Sequence, residues 1–188
     1  GIEGSPSWQI TSTQPHYQNY VLVIGESVRK DYMHLYGFSQ NNTPFLDKAP
    51  GTAIDGYTAT APNTTTSLLR SFTQIKNEKD FIYANNIITL AKAAGIETYW
   101  LSNQGMAGTW DTPIAKIALL ADHNDFTRKG GSGTMNYPDS ILLPLFNKYI
   151  SQKSPKVRLF IVHTIGSHSL FEARLEHSIH FDYYNRKI

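Results

Sequence analysis

Two stretches carry side chains that could do chemistry together. The first is Tyr20-Val21-Leu22-Val23-Ile24-Gly25-Glu26-Ser27, where an apolar run ends in a glycine and then a carboxylate. The second is Asn63-Thr64-Thr65-Thr66-Ser67, three Thr hydroxyls in a row ahead of the apolar Leu68, Leu69 and Phe72. A Thr hydroxyl is a poor nucleophile at neutral pH, and a metal ion lowers its pKa enough to make it competent. Placed at a helix N-terminus, it also gains free backbone N–H groups and the helix dipole, which favour an anion such as phosphate. A carboxylate with one or two imidazoles suits a borderline metal such as zinc. The imidazoles on offer are His163, closing the apolar run Val157-Arg158-Leu159-Phe160-Ile161-Val162-His163, and His168 just beyond it. Each feature has a plainer reading. Glu26 could be a solvated turn residue, the threonines helix caps, and the histidines hydrogen-bonded strand ends.

The order of elements decides whether such residues meet. Residues 20–24 read as a strand buried on both faces, as in a parallel sheet, because the apolar run shows no alternation. Residues 97–101 and 157–163 read as further strands. Between them the sequence predicts a short helix over 29–36 stopped by Gly37, a short strand over 57–61, and a helix over 67–72. A clearer helix over 85–94 carries Ile87, Ile88, Leu90 and Ala91 on one side, with Gly95 as its stop. Asp111-Thr112-Pro113 opens another, with Pro113 in the first turn, and residues 139–150 form an amphipathic one. The glycine-rich residues 129–133 lack the spacing of a phosphate-cradling loop and read as surface. The fold class is therefore α/β, a mainly parallel sheet sandwiched by helices. Its strands end in Glu26, in Ser102-Asn103-Gln104, and in His163 with His168 to follow. Parallel strands bring such ends to one edge, where open α/β sheets bind their ligands.

Composition narrows the classes. The chain has 188 residues, enough for one domain with a sizeable core, and 17 basic against 15 acidic residues. A net charge of +2 without a basic run does not suit nucleic acid. The absence of cysteine excludes a thiolate metal site, a cysteine nucleophile and a disulfide scaffold. No apolar run reaches membrane-spanning length.

Six motifs, taken in order, add a resemblance. They are Val23-Ile24-Gly25-Glu26-Ser27-Val28-Arg29-Lys30-Asp31, Leu35-Tyr36-Gly37-Phe38, Asn42-Thr43-Pro44-Phe45-Leu46, Ala61-Pro62-Asn63-Thr64-Thr65-Thr66-Ser67, Trp100-Leu101-Ser102-Asn103-Gln104 and His163-Thr164-Ile165-Gly166-Ser167-His168. Together they resemble the phosphoethanolamine transferases, inner-membrane enzymes of Gram-negative bacteria with an alkaline-phosphatase-like (sulfatase-like) periplasmic catalytic domain. The resemblance implies that Glu26 and Thr66 bind zinc and that Thr66 is the nucleophile of a phospho-threonine intermediate. Thr65 and Thr64 stay open as alternatives, because the loop is one residue longer than in some relatives. It implies that Asn103 lines the phosphoethanolamine pocket and that His168 contacts the transferred phosphate or a second metal. The donor would be phosphatidylethanolamine, and the acceptor an envelope glycolipid such as lipopolysaccharide, or a glucan.

Two departures point to a separate branch: Ala107 stands where some relatives carry lysine, and the cysteines of the lipid A-modifying relatives are missing. The family completes its zinc site with an Asp-His pair in a later Asp-His-Gly-like motif, expected to lie outside these residues. By the same resemblance residues 1–19 are expected to be a lead-in after a missing membrane region, and 20–188 the N-terminal portion of the catalytic domain. The segment alone is expected to hold zinc weakly and to be inactive. A hydrolase of the same superfamily, sulfatase or phosphodiesterase, and a non-catalytic envelope-binding domain are the competing expectations.

Overall fold

The apolar runs become neighbouring strands of one parallel sheet. The computed structural model describes residues 2–77, 79–105, 112–128 and 138–166. Its sheet holds β1 (Asn19–Ile24), β4 (Glu97–Gly105), β5 (His123–Arg128) and β6 (Arg158–His163), in the order β1-β6-β4-β5. All pairs are parallel, and the register sets Ile24 beside His163 and His163 beside Ser102. The carboxyl ends of three strands therefore lie side by side at one edge. Helices cover both faces. On one face α1 (Thr64–Phe72), α2 (Ile87–Ala93) and α3 (Pro113–Ala118) bring Leu69, Ile88, Ile114 and Ile117 against Trp100 and Ile161. On the other, α4 (Leu142–Ile150) packs Phe146 edge-on to Phe160, with the Tyr149 ring against Tyr99. Among the described residues no helix is long and apolar enough to cross a membrane.

Local chemistry accounts for the element ends. Asn63 caps α1 by accepting from the Thr66 N–H at 2.9 Å. Asn86 and Thr89 form a reciprocal capping box at α2, and Gly95 beyond it takes a φ of +75°. Thr112 caps α3 with Pro113 in the first position.

Several expectations are corrected. β1 is not buried on both faces: Val21 and Val23 are 48% and 62% exposed. They stand on the α4 side, which α4 covers over β4 and β6, and β1 is an edge among the described strands. Residues 29–36 form two 3-10 turns, Lys30–Tyr32 and His34–Tyr36, because Met33 between them is extended. The expected stop at Gly37 holds, with φ +99°. Residues 57–61 form no strand; they are mostly exposed and have no ladder partner. α1 begins at Thr64, three residues early, since Asn63 is the cap. α2 begins at Ile87, two residues late, since Asn85 and Asn86 end a strand. That strand, β3 (Asp80–Asn86), pairs antiparallel with β2 (Thr73–Asn77), a hairpin the apolar pattern did not announce. β5 likewise has no apolar run to mark it, being a largely polar sequence, His-Asn-Asp-Phe-Thr-Arg. The glycine-rich residues 129–133 lie outside the described residues.

Candidate active site

Glu26 follows the end of β1 and is 6% exposed. Its Oε1 accepts two hydroxyl hydrogen bonds, from Ser27 Oγ at 2.9 Å and from Thr64 Oγ1 at 2.8 Å. Ser27 takes a left-handed φ of +53°, unusual for a residue with a side chain and the kind of strain that collects at functional sites. Thr64 is the first residue of α1, a nine-residue helix, so its hydroxyl sits among the unpaired N–H groups of the first turn. The carboxylate and the hydroxyl face a cavity of about 200 Å³. Thr65, Ser102, Gln104 and His163 line its polar side, and Leu68, Trp100, Ile114 and Phe126 its apolar side.

The three threonines thus divide. Thr64 meets Glu26, Thr65 is on the cavity wall, and Thr66 gives its backbone N–H to the Asn63 cap and is not among the lining residues. Sequence order alone does not separate them; a capping Asn63 puts Thr64, not Thr66, in the first helical position. Asn103 is fully buried behind the cavity. Its Nδ2 donates to Asp139 Oδ1 at 2.8 Å and its Oδ1 accepts from Thr127 Oγ1 at 2.6 Å. The next residue, Gln104, is the one that reaches the cavity, donating from Nε2 to the Thr164 carbonyl at 2.8 Å. His168 lies outside the described residues.

Asp139, at the start of the turn leading into α4, ties these ends together. Besides Asn103 it accepts the backbone N–H groups of Ile165 and Gly166, each at 2.8 Å. Thr164 in turn donates from N and Oγ1 to the Ile24 carbonyl, at 3.0 and 2.8 Å. The turn after β6 is thereby pressed onto Glu26. Gly166 has φ +47°, and a Cβ there would stand 2.6 Å from the Glu26 carbonyl oxygen and 3.2 Å from its nitrogen. Both neighbours are backbone, which does not yield as a flexible side chain would. Gly166→Ala is therefore expected to destabilise the fold by about 1–3 kcal/mol, the order of one strained backbone position. Urea unfolding of the two proteins side by side checks this; equal midpoints would mean the turn does not press on Glu26.

His163 is buried, 6% exposed, and its Nε2 has no hydrogen-bond partner among the described residues. Burial pushes its imidazole down to about 4 against the pull of Glu26 and Asp139, so it is neutral at neutral pH. Neither this unpaired nitrogen nor the reach of Gln104 is visible in the sequence.

One Asp-His dipeptide does occur within these residues, Asp122-His123, so the expectation of none is corrected. It precedes and opens β5 at the opposite edge of the sheet from Glu26. There Asp122 accepts from Thr98 N and Oγ1, and His123 pairs with Glu97 at 2.9 Å. The Tyr99 hydroxyl first, then His123 and Ser154, holds Glu97 below the usual carboxylate range. These bonds make it a structural pair, without a route to the cavity.

Zinc has four tetrahedral donors in most protein sites. The Glu26 carboxylate and Thr64 hydroxyl, hydrogen-bonded to each other on adjoining elements, are two oxygens that fit one cation. Among the described residues no group of three His, Cys, Asp or Glu comes together that could hold one.

The sulfatase family model matches residues 18–186. The chain belongs to the sulfatase family. Within it, a Haemophilus influenzae protein named "Putative phosphoethanolamine transferase" is 41% identical over 178 residues, 93% of this chain and 37% of the relative. Phosphoethanolamine transferase OpgE of Escherichia coli is 36% identical over 163 residues, 86% of this chain and 31% of OpgE. The chain thus spans about a third of these curated relatives. The C-terminal periplasmic domain of E. coli EptC, solved in complex with zinc, superposes with a TM-score of 0.82 at 23% identity, covering 100% of this chain and 56% of that domain. This sulfatase-family chain therefore has the mainly parallel, alkaline-phosphatase-like fold expected, as a part of such a domain.

Proposed function

We propose that this chain is the nucleophile-bearing part of a phosphoethanolamine transferase, anchored at the inner membrane with its catalytic domain in the periplasm. The observation that carries the reading is the 2.8 Å hydrogen bond from Thr64, at the start of α1, to the buried Glu26. Names of the relatives support the chemistry, and the motifs noted above support the same branch. In the proposed reaction Thr64 Oγ1 attacks the phosphorus of phosphatidylethanolamine. The Thr64 O–P bond forms and the bond from phosphorus to the glyceride oxygen breaks, releasing diacylglycerol with a proton. An acceptor hydroxyl or phosphate oxygen on an envelope glycolipid or glucan then attacks the same phosphorus, and Thr64 leaves with a proton restored.

Thr64 is preferred to Thr66 because its hydroxyl, and not that of Thr66, meets Glu26. Glu26 orients that hydroxyl and is the nearest acceptor for its proton. The first-turn N–H groups of α1 face the phosphoryl oxygens as their charge rises. Zinc held by Glu26 and Thr64, with donors from elsewhere in the protein, would lower the hydroxyl pKa and offset charge on the phosphoryl group. Asn103 and Asp139 hold the strand ends in place behind the cavity. His168 is carried over from the resemblance as a further phosphate contact.

The test is product analysis with the full-length protein and phosphatidylethanolamine, with and without lipopolysaccharide or periplasmic glucan. Diacylglycerol release that depends on an acceptor, with phosphoethanolamine on that acceptor, is expected. Release of free phosphoethanolamine at an equal rate without any acceptor would instead make the protein a hydrolase.

A further inference from the structure

We propose that Asp139 is a positioning residue of the transfer step, acting on the nucleophile through the backbone of Glu26. The role rests on the transferase reading and adds to it a residue that is not among those lining the cavity. Asp139 is half-buried, and both its carboxylate oxygens are engaged. Oδ1 accepts from Asn103 Nδ2 and from the Ile165 N–H, and Oδ2 accepts from the Gly166 N–H, each at 2.8 Å. Hydrogen bonds to an ionised acceptor are roughly twice as strong as neutral ones. One carboxylate thus joins the end of β4, the turn after β6 and the turn that opens α4. The N–H groups of residues 164–166 are all committed: that of Thr164 to the Ile24 carbonyl at 3.0 Å, the next two to Asp139. Ile165 between them is itself buried, 6% exposed.

The effect falls on Glu26. Gly166 lies so close that a Cβ on it would stand 2.6 Å from the Glu26 carbonyl oxygen. The two bonds from Thr164 end on Ile24, two residues before Glu26. Glu26 in turn holds the Thr64 hydroxyl at 2.8 Å. Asp139 therefore reaches the nucleophile by three links: its bond to the Gly166 N–H, the contact of Gly166 with the Glu26 peptide, and the carboxylate–hydroxyl bond. The middle link has no slack, because both sides of it are backbone. Reacting groups lose on the order of a hundredfold in rate for about 1 Å of misplacement, so a group that fixes the Glu26 peptide sets the rate without touching substrate. Asp139→Asn isolates the first link. The amide keeps the shape and one acceptor oxygen, which serves best on the side with two donors, Asn103 and Ile165. Its NH2 group then faces the Gly166 N–H, donor against donor, and the bond lost is the one next to Glu26.

The experiment is a double-mutant cycle in the full-length protein: wild type, Asp139→Asn, Glu26→Gln and both together, with phosphatidylethanolamine in excess. The readout is the single-turnover rate constant for forming the covalent phosphoethanolamine adduct, which does not depend on the fraction of protein that is folded. Asp139→Asn is expected to slow it by about ten- to a hundredfold in the wild-type background, the worth of one hydrogen bond to a charged group. In the Glu26→Gln background the further slowing is expected to stay below about threefold, because the carboxylate being positioned is already gone. Phe146→Leu, which loosens α4 against Phe160, is the control for plain loss of stability. It is expected to lower the unfolding midpoint and to leave the rate constant within about threefold of the wild type. Asp139→Ser carries the cycle if Asp139→Asn does not fold. Equal slowing in both backgrounds would make Asp139 a support independent of Glu26, and no slowing in either would remove it from the reaction. Each of these results overturns the positioning role and leaves the transferase reading intact. No adduct and no transfer by the wild type would overturn both.

Discussion

Thr64→Ala is expected to abolish transfer by the full-length protein, lowering kcat on the order of ten-thousandfold or more, as removal of a covalent nucleophile does. Thr66→Ala is expected to stay within about tenfold of the wild type, since α1 keeps its Asn63 cap through the Thr66 backbone and loses only a side chain outside the cavity. The contrast follows from one geometric fact: of the three threonine hydroxyls, that of Thr64 is the one that donates to the Glu26 carboxylate, at 2.8 Å. Steady-state transfer from phosphatidylethanolamine measures both variants. The reverse order, with Thr66→Ala dead and Thr64→Ala active, would mean that α1 starts elsewhere in the working enzyme.

Glu26→Gln is expected to lower turnover by on the order of a hundredfold or more and to strip zinc from the full-length protein on dialysis. The change is nearly isosteric, so the shape of the buried site survives while its negative charge does not. What is lost is the charge that would hold a cation and take up the Thr64 proton, interactions each worth several kcal/mol in a metal-assisted transition state. The amide also presents an NH2 group, and if it turns that group towards Ser27 and Thr64 the two hydroxyls lose the acceptor they share. Zinc per protein by atomic absorption, alongside turnover, reads the effect. Full zinc and full activity would reduce Glu26 to an ordinary turn residue.

The parts of the fold that announced themselves are those with a continuous apolar run or a capping signal. Residues 20–24 and 159–162 are continuous apolar runs, and their strands lie side by side in a parallel sheet, while Asn86 with Gly95 frames α2. β5 and β2 are largely polar sequences held by backbone ladders, which leave no period in side-chain type, and β3 carries only a short apolar run, Phe81 to Ala84, before Asn85 and Asn86. The turns of residues 29–36 look helical in composition, yet extended Met33 divides them. Convergence of Glu26, the end of β4 and His163 on one edge was legible because parallel strands allow nothing else. The choice among three adjacent threonines was not, since it depends on which residue caps α1. Likewise Asn103 and Gln104 alternate along β4, and only the register of the sheet turns one into the interior and the other into the cavity.

The most direct test is to trap the intermediate. Full-length protein is mixed with phosphatidylethanolamine without acceptor, quenched in acid, digested and sequenced by mass spectrometry. The mass of one phosphoethanolamine is expected on the peptide spanning α1, with fragment ions assigning it to Thr64. The same mass on Thr66, Thr65, Ser67 or Ser27 would contradict the assignment of the nucleophile, and Glu26 would then have to serve a different hydroxyl.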